Sequence, residues 1–320
     1  MQTLFELLIL LKKSYKTDMK NRKFLMPYGI HSPPMKKVFQ WKITNLFTKK
    51  RERVADDDFH LKVNFLTPAL LKSDHDFIVW LGHATFYIQL NGIKILTDPV
   101  ASDIIMYPRL APFPINIQDL EPDIVLISHG HFDHLDLKSL ELLNVYTKKT
   151  KLLLPSNLSS YIKKEANSSE LAWGESFVDK ELTITALPAS HWHRRGAFDF
   201  NRALWCSFMI ESKGKSIFFA GDTAFDKHFE DIAQEFSIDI ALMPIGAYLP
   251  REVMKDNHMD PQEALVASQV LKAKKMIPYH YGTFQLSDEP VGEPHSWITR
   301  LAKNSSVAID ILELGEIRNC

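Results

Sequence analysis

The chain has 320 residues, 45% hydrophobic, 24% charged and 11% aromatic, enough apolar material to bury a substantial core. That balance excludes a mostly disordered chain, and two cysteines, Cys206 and Cys320, exclude a disulfide-stapled scaffold or a cysteine-only zinc site. The formal net charge of −1 conceals an asymmetry: residues 1–53 carry 13 Lys/Arg against three acids, so residues 54–320 are net acidic. A basic arm on an acidic body suits an anionic partner, a phospholipid surface or RNA, with a solvated leader as the plain alternative.

In chain order, the first signal is the apolar run from Leu4 to Leu11, interrupted by Glu6 and followed by Lys12, Lys13 and Lys16. It is too short to span a bilayer and lacks the layout of a secretion signal, so a peripheral, cytoplasmic protein is expected. The run could lie on an anionic membrane or pack on the body. Residues 1–60 thus read as a basic N-terminal extension and 61–320 as the catalytic body.

From about residue 75 the pattern predicts short strands at 77–81, 85–90 and 93–96, with Asn91-Gly92 as a two-residue hairpin turn. A buried strand at 123–127 runs into Ser128-His129, a helix follows over 137–145, and a strand over 151–154. The second half predicts strands at 182–185, 207–210, 216–220, 239–243 and 275–277, with helices near 227–236 and 261–271, Pro261 opening the latter. Two strand-rich halves with helices outside imply an α/β layered sandwich, not a doubly wound parallel sheet.

The chemistry concentrates in Ser128-His129-Gly130-His131-Phe132-Asp133-His134. Imidazole nitrogen and carboxylate oxygen are the ligands that borderline divalent metals prefer. One ion rarely takes every ligand from so short a loop, so two adjacent ions are the economical reading. Three more candidates stand at predicted strand ends: His191, Asp222 in Gly221-Asp222-Thr223, and His280 in Tyr279-His280-Tyr281.

These residues together resemble the metallo-β-lactamase superfamily of dinuclear metallohydrolases, over roughly residues 75–315. The resemblance implies a four-layer αββα sandwich. It also implies that His129, His131 and His191 hold one divalent ion, that Asp133, His134 and His280 hold the other, and that Asp222 bridges them, with Zn2+ the expected metal. More specific blocks run through His191-Trp192-His193-Arg194-Arg195-Gly196, Asp199-x-Asn201, Leu204-Trp205-x-Ser207-Phe208 and Phe218–Thr223. They continue in Pro244–Tyr248 with Pro250-Arg251, in His258, in Asp260-Pro261-x-Glu263-Ala264 and in His280-x-Gly282-Thr283-Phe284. These blocks are similar to the family of phospholipases D that hydrolyse N-acylphosphatidylethanolamine to phosphatidic acid and an N-acylethanolamide. Tyr281 departs from that family's pattern, where tryptophan is expected, and the resemblance does not extend to residues 1–53. A phospholipid substrate, peripheral membrane contact and a homodimer are the partners it implies.

Two adjacent divalent ions lower the pKa of a shared water toward neutrality and neutralise phosphate oxygens. His258 is the candidate to serve the leaving group, or else a loop histidine capping the next helix. Tyr248 touches the phosphate or is a packing aromatic. Trp192, with Trp205 and Phe284, lines an acyl-chain groove or belongs to the core. Asp98 and His83 support the ligands from behind or are turn residues. His31, His60, His75, His228 and His295 read as surface or packing residues, and Cys206 as buried. The alternatives keep the metal site and change the substrate, to a sugar-phosphate lactone or a precursor RNA. The acidic body disfavours nucleic acid, and a whole ligand set disfavours a non-catalytic scaffold.

Overall fold

Apolar runs bounded by turn residues form the strands, and two sheets carry them. The computed structural model describes residues 17–18, 23–25, 35–47, 58–147 and 149–320. The first seven-stranded sheet is built from β3 (Phe77–Gly82), β4 (Thr85–Leu90), β5 (Ile93–Thr97), β6 (Ile124–Leu126), β7 (Lys151–Pro155), β8 (Ser168–Leu171) and β16 (Ile317–Asn319), in the order β16-β3-β4-β5-β6-β7-β8. The second comprises β9 (Ser176–Asp179), β10 (Leu182–Leu187), β11 (Ser207–Ser212), β12 (Lys215–Phe219), β13 (Ile240–Pro244), β14 (Lys275–Tyr279) and β15 (Ala308–Ile309), in the order β15-β14-β13-β12-β11-β10-β9.

Strand alternation sorts the side chains into layers. In β3, Ile78 and Trp80 point into the large core shared with Ile184, Phe208 and Ile210 of the second sheet. Phe77, Val79 and Leu81 point the other way, onto Leu135, Leu140 and Leu143 beside helix α2 (Leu137–Leu142). Both faces are therefore buried, which explains why β3 reads as a continuous apolar run. The second sheet is covered by α3 (His228–Glu235), α5 (Pro261–Val270) and α6 (Glu293–Ala302), whose Phe229, Ile232, Leu265 and Ile298 join the large core. The result is the four-layer αββα sandwich. Asp260 starts α5 with a capping box to Glu263, behind Pro261 at the first turn.

Strand direction places the chemistry. β5, β6 and β7 are parallel, as are β12, β13 and β14; β10 is antiparallel to β11, itself antiparallel to β12. The carboxyl ends of β5, β6, β10, β12, β13 and β14 therefore open on one edge, and the loops that follow carry Asp98, 128–134, 188–193, Asp222, 245–258 and His280.

The predicted helix over 137–145 stops at Leu142, because Asn144 turns into the left-handed region at φ 55°. Strands β8 and β9 and helix α6 were not expected. β9 is largely exposed along its length and β8 meets the core only at Leu171, so neither shows an apolar pattern. Of the arm, β1 (Thr17–Asp18) pairs antiparallel with β2 (Lys23–Phe24), and α1 spans Met35–Phe47. The Leu4–Leu11 run and His31 lie outside the described residues. Among the described residues no helix is long and apolar enough to cross a membrane.

Candidate metal centre

The loop after β6 is shaped by what packs on it. Gly130 has no room for a side chain: a Cβ there would lie 2.2 Å from His193 Cε1. Arg195 Nη1 donates to Gly130 O at 3.0 Å and to Leu135 O at 2.9 Å, with its guanidinium 4.3 Å over the Phe132 ring. Asp199 holds that arginine's segment by accepting from Gly196 N and from Tyr161 Oη, both at 2.7 Å. The 191–201 block thus supplies one candidate ligand and clamps the loop that carries four more. Gly130→Ala is expected to displace His193 and weaken metal affinity about 10–100-fold, read by chelator competition; wild-type affinity would refute the packing argument.

The clamped loop brings three imidazoles together. His131 Nδ1 lies 2.9 Å from His129 Nε2 and 3.2 Å from His191 Nε2. Ligands of a tetrahedral zinc at about 2.0–2.1 Å sit about 3.3 Å apart, so this spacing fits one cation. On the far side, Asp222 Oδ2 is 3.1 Å from His134 Nε2 and Asp222 Oδ1 is 3.1 Å from His280 Nε2. Asp133 Oδ2 completes that group, 3.5 Å from His134 Nε2 and 3.8 Å from His280 Nε2. Asp222 Oδ2 is also 3.9 Å from each of His129 Nε2 and His191 Nε2, so its carboxylate stands between the two groups. His134 Nε2, His280 Nε2 and Asp222 Oδ1 are buried and make no hydrogen bond. Converging nitrogen and oxygen atoms left without hydrogen-bond partners are what a cation site offers. The described residues form a histidine/aspartate cluster able to bind metal.

Groups behind the cluster set the ring tautomers. Ser128 Oγ donates to Asp98 Oδ2 at 2.5 Å, so it accepts from His129 Nδ1 at 2.9 Å and leaves Nε2 free to coordinate. His134 Nδ1 donates to Asp98 Oδ2 at 2.7 Å, and His191 Nδ1 donates to Asn257 O at 3.1 Å. Asp98 therefore orients two rings, one directly and one through Ser128. His83 Nε2 donates to Asp133 Oδ2 at 3.1 Å, and its ring centroid lies 4.1 Å from that of His280. His83, Asp98 and His280 adopt φ of 51°, 32° and 68°, so strain of about 1–3 kcal/mol apiece is concentrated at the site.

Burial pushes His83, His131, His191 and His258 down to about 3, and His129 well below its usual value. Neutral rings keep their lone pairs available. Burial alone would raise the Asp222 carboxyl, but His134 and His280 beside it hold it well below the carboxylate range. Burial pushes the Asp98 carboxyl up, against the pull of His134 and Ser128.

The remaining candidates divide. His258 Nδ1 lies 3.9 Å from Asp222 Oδ2, and the helix that follows is capped by Asp260, so His258 is not a cap. Trp192 lies edge-on to His131 at 4.5 Å between centroids. Tyr248 is buried and donates to Glu293 Oε1 at 2.6 Å. Trp205 belongs to the core, donating to Ala189 O at 2.8 Å and meeting Trp173 edge-on. Phe284 is buried against His83, 5.3 Å between centroids. His228 packs on Phe229 and His295 on Phe59, while His60 and His75 are exposed and Cys206 is buried. The sequence did not point to Ser128, Asn257, Tyr161 or Glu289. Ser128 carried a signal, a hydroxyl at the end of an apolar strand. Asn257 acts through its carbonyl, which no side-chain pattern reports. Glu289 is a buried carboxylate that accepts from Ala247 N at 2.7 Å and Leu249 N at 3.0 Å, fixing the loop before His258.

Comparison with known proteins agrees with this geometry. The family described as "Beta-lactamase superfamily domain" matches residues 94–281. The chain is 39% identical over 241 residues to the mitochondrial N-acyl-phosphatidylethanolamine-hydrolyzing phospholipase D of Saccharomyces cerevisiae, covering 70% of this chain and 51% of that protein. It thus spans about half the length of that relative. It is 32% identical over 291 residues to N-acyl-phosphatidylethanolamine-hydrolyzing phospholipase D 1 of Caenorhabditis elegans, covering 82% of this chain and 79% of the other. Among solved structures, the metallo hydrolase Igni18 of Ignicoccus hospitalis superposes with a TM-score of 0.59 at 20% identity, covering 77% of this chain and 98% of that one. At that identity the likeness concerns the fold alone.

Proposed function

This chain belongs to the metallo-β-lactamase superfamily, within the family of N-acyl-phosphatidylethanolamine-hydrolyzing phospholipases D, and is a metal-dependent hydrolase; from that premise we propose that it hydrolyses the phosphodiester of N-acylphosphatidylethanolamine. The products are phosphatidic acid and an N-acylethanolamide. The observation that carries the reading is the divided donor set, three imidazoles on one side of Asp222 and Asp133, His134 and His280 on the other, beside the aromatic wall of Trp192. The two named relatives supply the substrate class.

In this reading His129, His131 and His191 would hold one divalent ion and Asp133, His134 and His280 the other, with Asp222 placed to serve both. Bound there, two Zn2+ ions would supply an acidified water and neutralise charge on the phosphate. Asp98 and Ser128 keep the rings in the coordinating tautomer. Trp192 takes acyl-chain surface at the mouth, and Tyr248 stiffens the phosphate side through Glu293. His258 faces the leaving oxygen. Burial holds it neutral, so it orients that oxygen with its ring N–H while solvent returns the proton. The partner is then a phospholipid at a membrane surface, with the protein peripheral to it and residues 1–60 an extension of the catalytic body. Residues 54–320 are net acidic, which argues against nucleic acid.

The test is a panel of N-acylphosphatidylethanolamine, a sugar-phosphate lactone and a precursor RNA, scored for turnover. Cleavage of the lipid with release of phosphatidic acid is expected. Turnover of the lactone or the RNA in its place would overturn the proposal.

A further inference from the structure

The described parts of the basic arm sit on the two loops that flank the metal centre. Phe24 N donates to Asn201 O at 2.9 Å, and Asn201 Nδ2 donates to Phe24 O at 3.5 Å. Asn201 is itself tied to His193: it accepts from His193 N on Oδ1 at 3.0 Å and donates its own N–H to His193 O at 2.8 Å. His193 lies two residues past His191. On the other flank, α1 packs against α4 (Arg251–Met254), just ahead of His258, and Trp41 Nε1 donates to Asp288 Oδ2 at 2.6 Å. Asp288 N in turn donates to Leu249 O at 3.3 Å.

This attachment presents a cation at the mouth. Lys23 Nζ stands 5.6 Å from the Phe200 ring centroid; Phe200 is 5.8 Å from Trp192, which is 4.5 Å from His131. Of the cations closer in sequence, Arg194 and Arg195 are otherwise engaged. Arg194 donates to Gly196 O and Ala197 O, and Arg195 to Gly130 O and Leu135 O. Residues 54–320 around the centre are net acidic, so an anion approaching the mouth meets a repulsive surface that a cation there would offset.

We propose that Lys23, held by the arm over the Phe200–Trp192 pair, is a specificity-determining residue that recognises the phosphate of an acyl-bearing anionic substrate at the mouth. The assignment rests on the phosphodiester reading above and gives the arm a role in selecting substrate.

Binding can be read without turnover. The metal-loaded full chain is titrated calorimetrically with dihexanoyl phosphatidic acid, and with zwitterionic dihexanoyl phosphatidylcholine, both below micelle formation. Lys23→Glu is expected to weaken phosphatidic acid binding about tenfold or more, and Lys23→Arg to retain it. Phosphatidylcholine binding is expected to change far less. Equal phosphatidic acid affinity in wild type and Lys23→Glu, or an equal loss for both lipids, would overturn the assignment. A melting temperature matched to wild type shows that the variant is folded. A wild type that binds phosphatidic acid through Lys23 yet cleaves no phosphodiester would refute the proposed function while leaving Lys23 as a phosphate-recognising residue.

Discussion

Asp222→Asn is expected to lower hydrolysis about a thousandfold or more, a barrier increase of roughly 4 kcal/mol, while the chain still folds. The substitution keeps the shape of the side chain and removes its charge. Asp222 Oδ1 and Oδ2 face His280 Nε2 and His134 Nε2 at 3.1 Å each, with His129, His191 and His258 all at 3.9 Å. Among the described residues no other carboxylate stands between both groups: Asp133 pairs with His83, His134 and His280. An amide offers one acceptor oxygen where the carboxylate offers two, and its NH2 group would point at a ring nitrogen or a cation. The fold does not depend on that charge, because Gly221 and Asp222 sit beyond the end of β12 and the core beneath them is apolar. Kinetics on the proposed substrate, N-acylphosphatidylethanolamine, with circular dichroism and a thermal melt of the variant, check both halves. Full activity in a folded variant would remove Asp222 from the bridging role.

What the sequence disclosed, and what it withheld, follows from the range of each interaction. His129, His131, Asp133 and His134 were legible because they share one loop, so their spacing alone carries meaning. His191, Asp222 and His280 were legible because each follows an apolar run, and parallel strands deliver their carboxyl ends to one edge. Asp98 was open between a turn residue and a support for a ligand; the structure places it between His134 and Ser128. The clamp of Arg195 on Gly130 and Leu135 was not legible, since it joins backbone carbonyls 65 and 60 residues away. Edge strands β8 and β9 escaped notice for a related reason: an edge buries little, so its composition carries little pattern. Trp205 and Tyr248 show the converse. An aromatic near a strand end reads the same in sequence whether it lines a groove or fills a core, and only Trp173 and Glu293 decide where these two are engaged.

The purified protein is expected to hold about two divalent ions per chain, because the donor set forms two groups that meet at one carboxylate. Elemental analysis reads this directly, and one ion or none would sink the dinuclear proposal. Stripping the metal with chelator is expected to abolish turnover and to expose a pH dependence of stability. His83, His131, His191 and His258 stay neutral in the folded chain down to about 3, whereas in the unfolded chain each titrates near 6.5. As pH falls below 6.5 the unfolded chain takes up protons that the folded chain refuses, so stability declines through that window. His134 acts in the opposite sense: burial opposes its charge, but Asp222 and Asp133 raise it well above its usual value, and its contribution persists at low pH. His129, also held well below its usual value by burial, joins those four, and five rings against one leave the net slope destabilising on acidification. Thermal melts of the stripped protein at pH 7.5 and 5 should therefore differ by several degrees, the acid sample melting lower. Ions in both groups would satisfy the same lone pairs and compete with protons for them, so the loaded protein should show a shallower slope until the ions leave. Equal melting of the stripped protein at both pH values would mean that the rings are not held in a dry cluster, and the two-ion site would lose its physical basis.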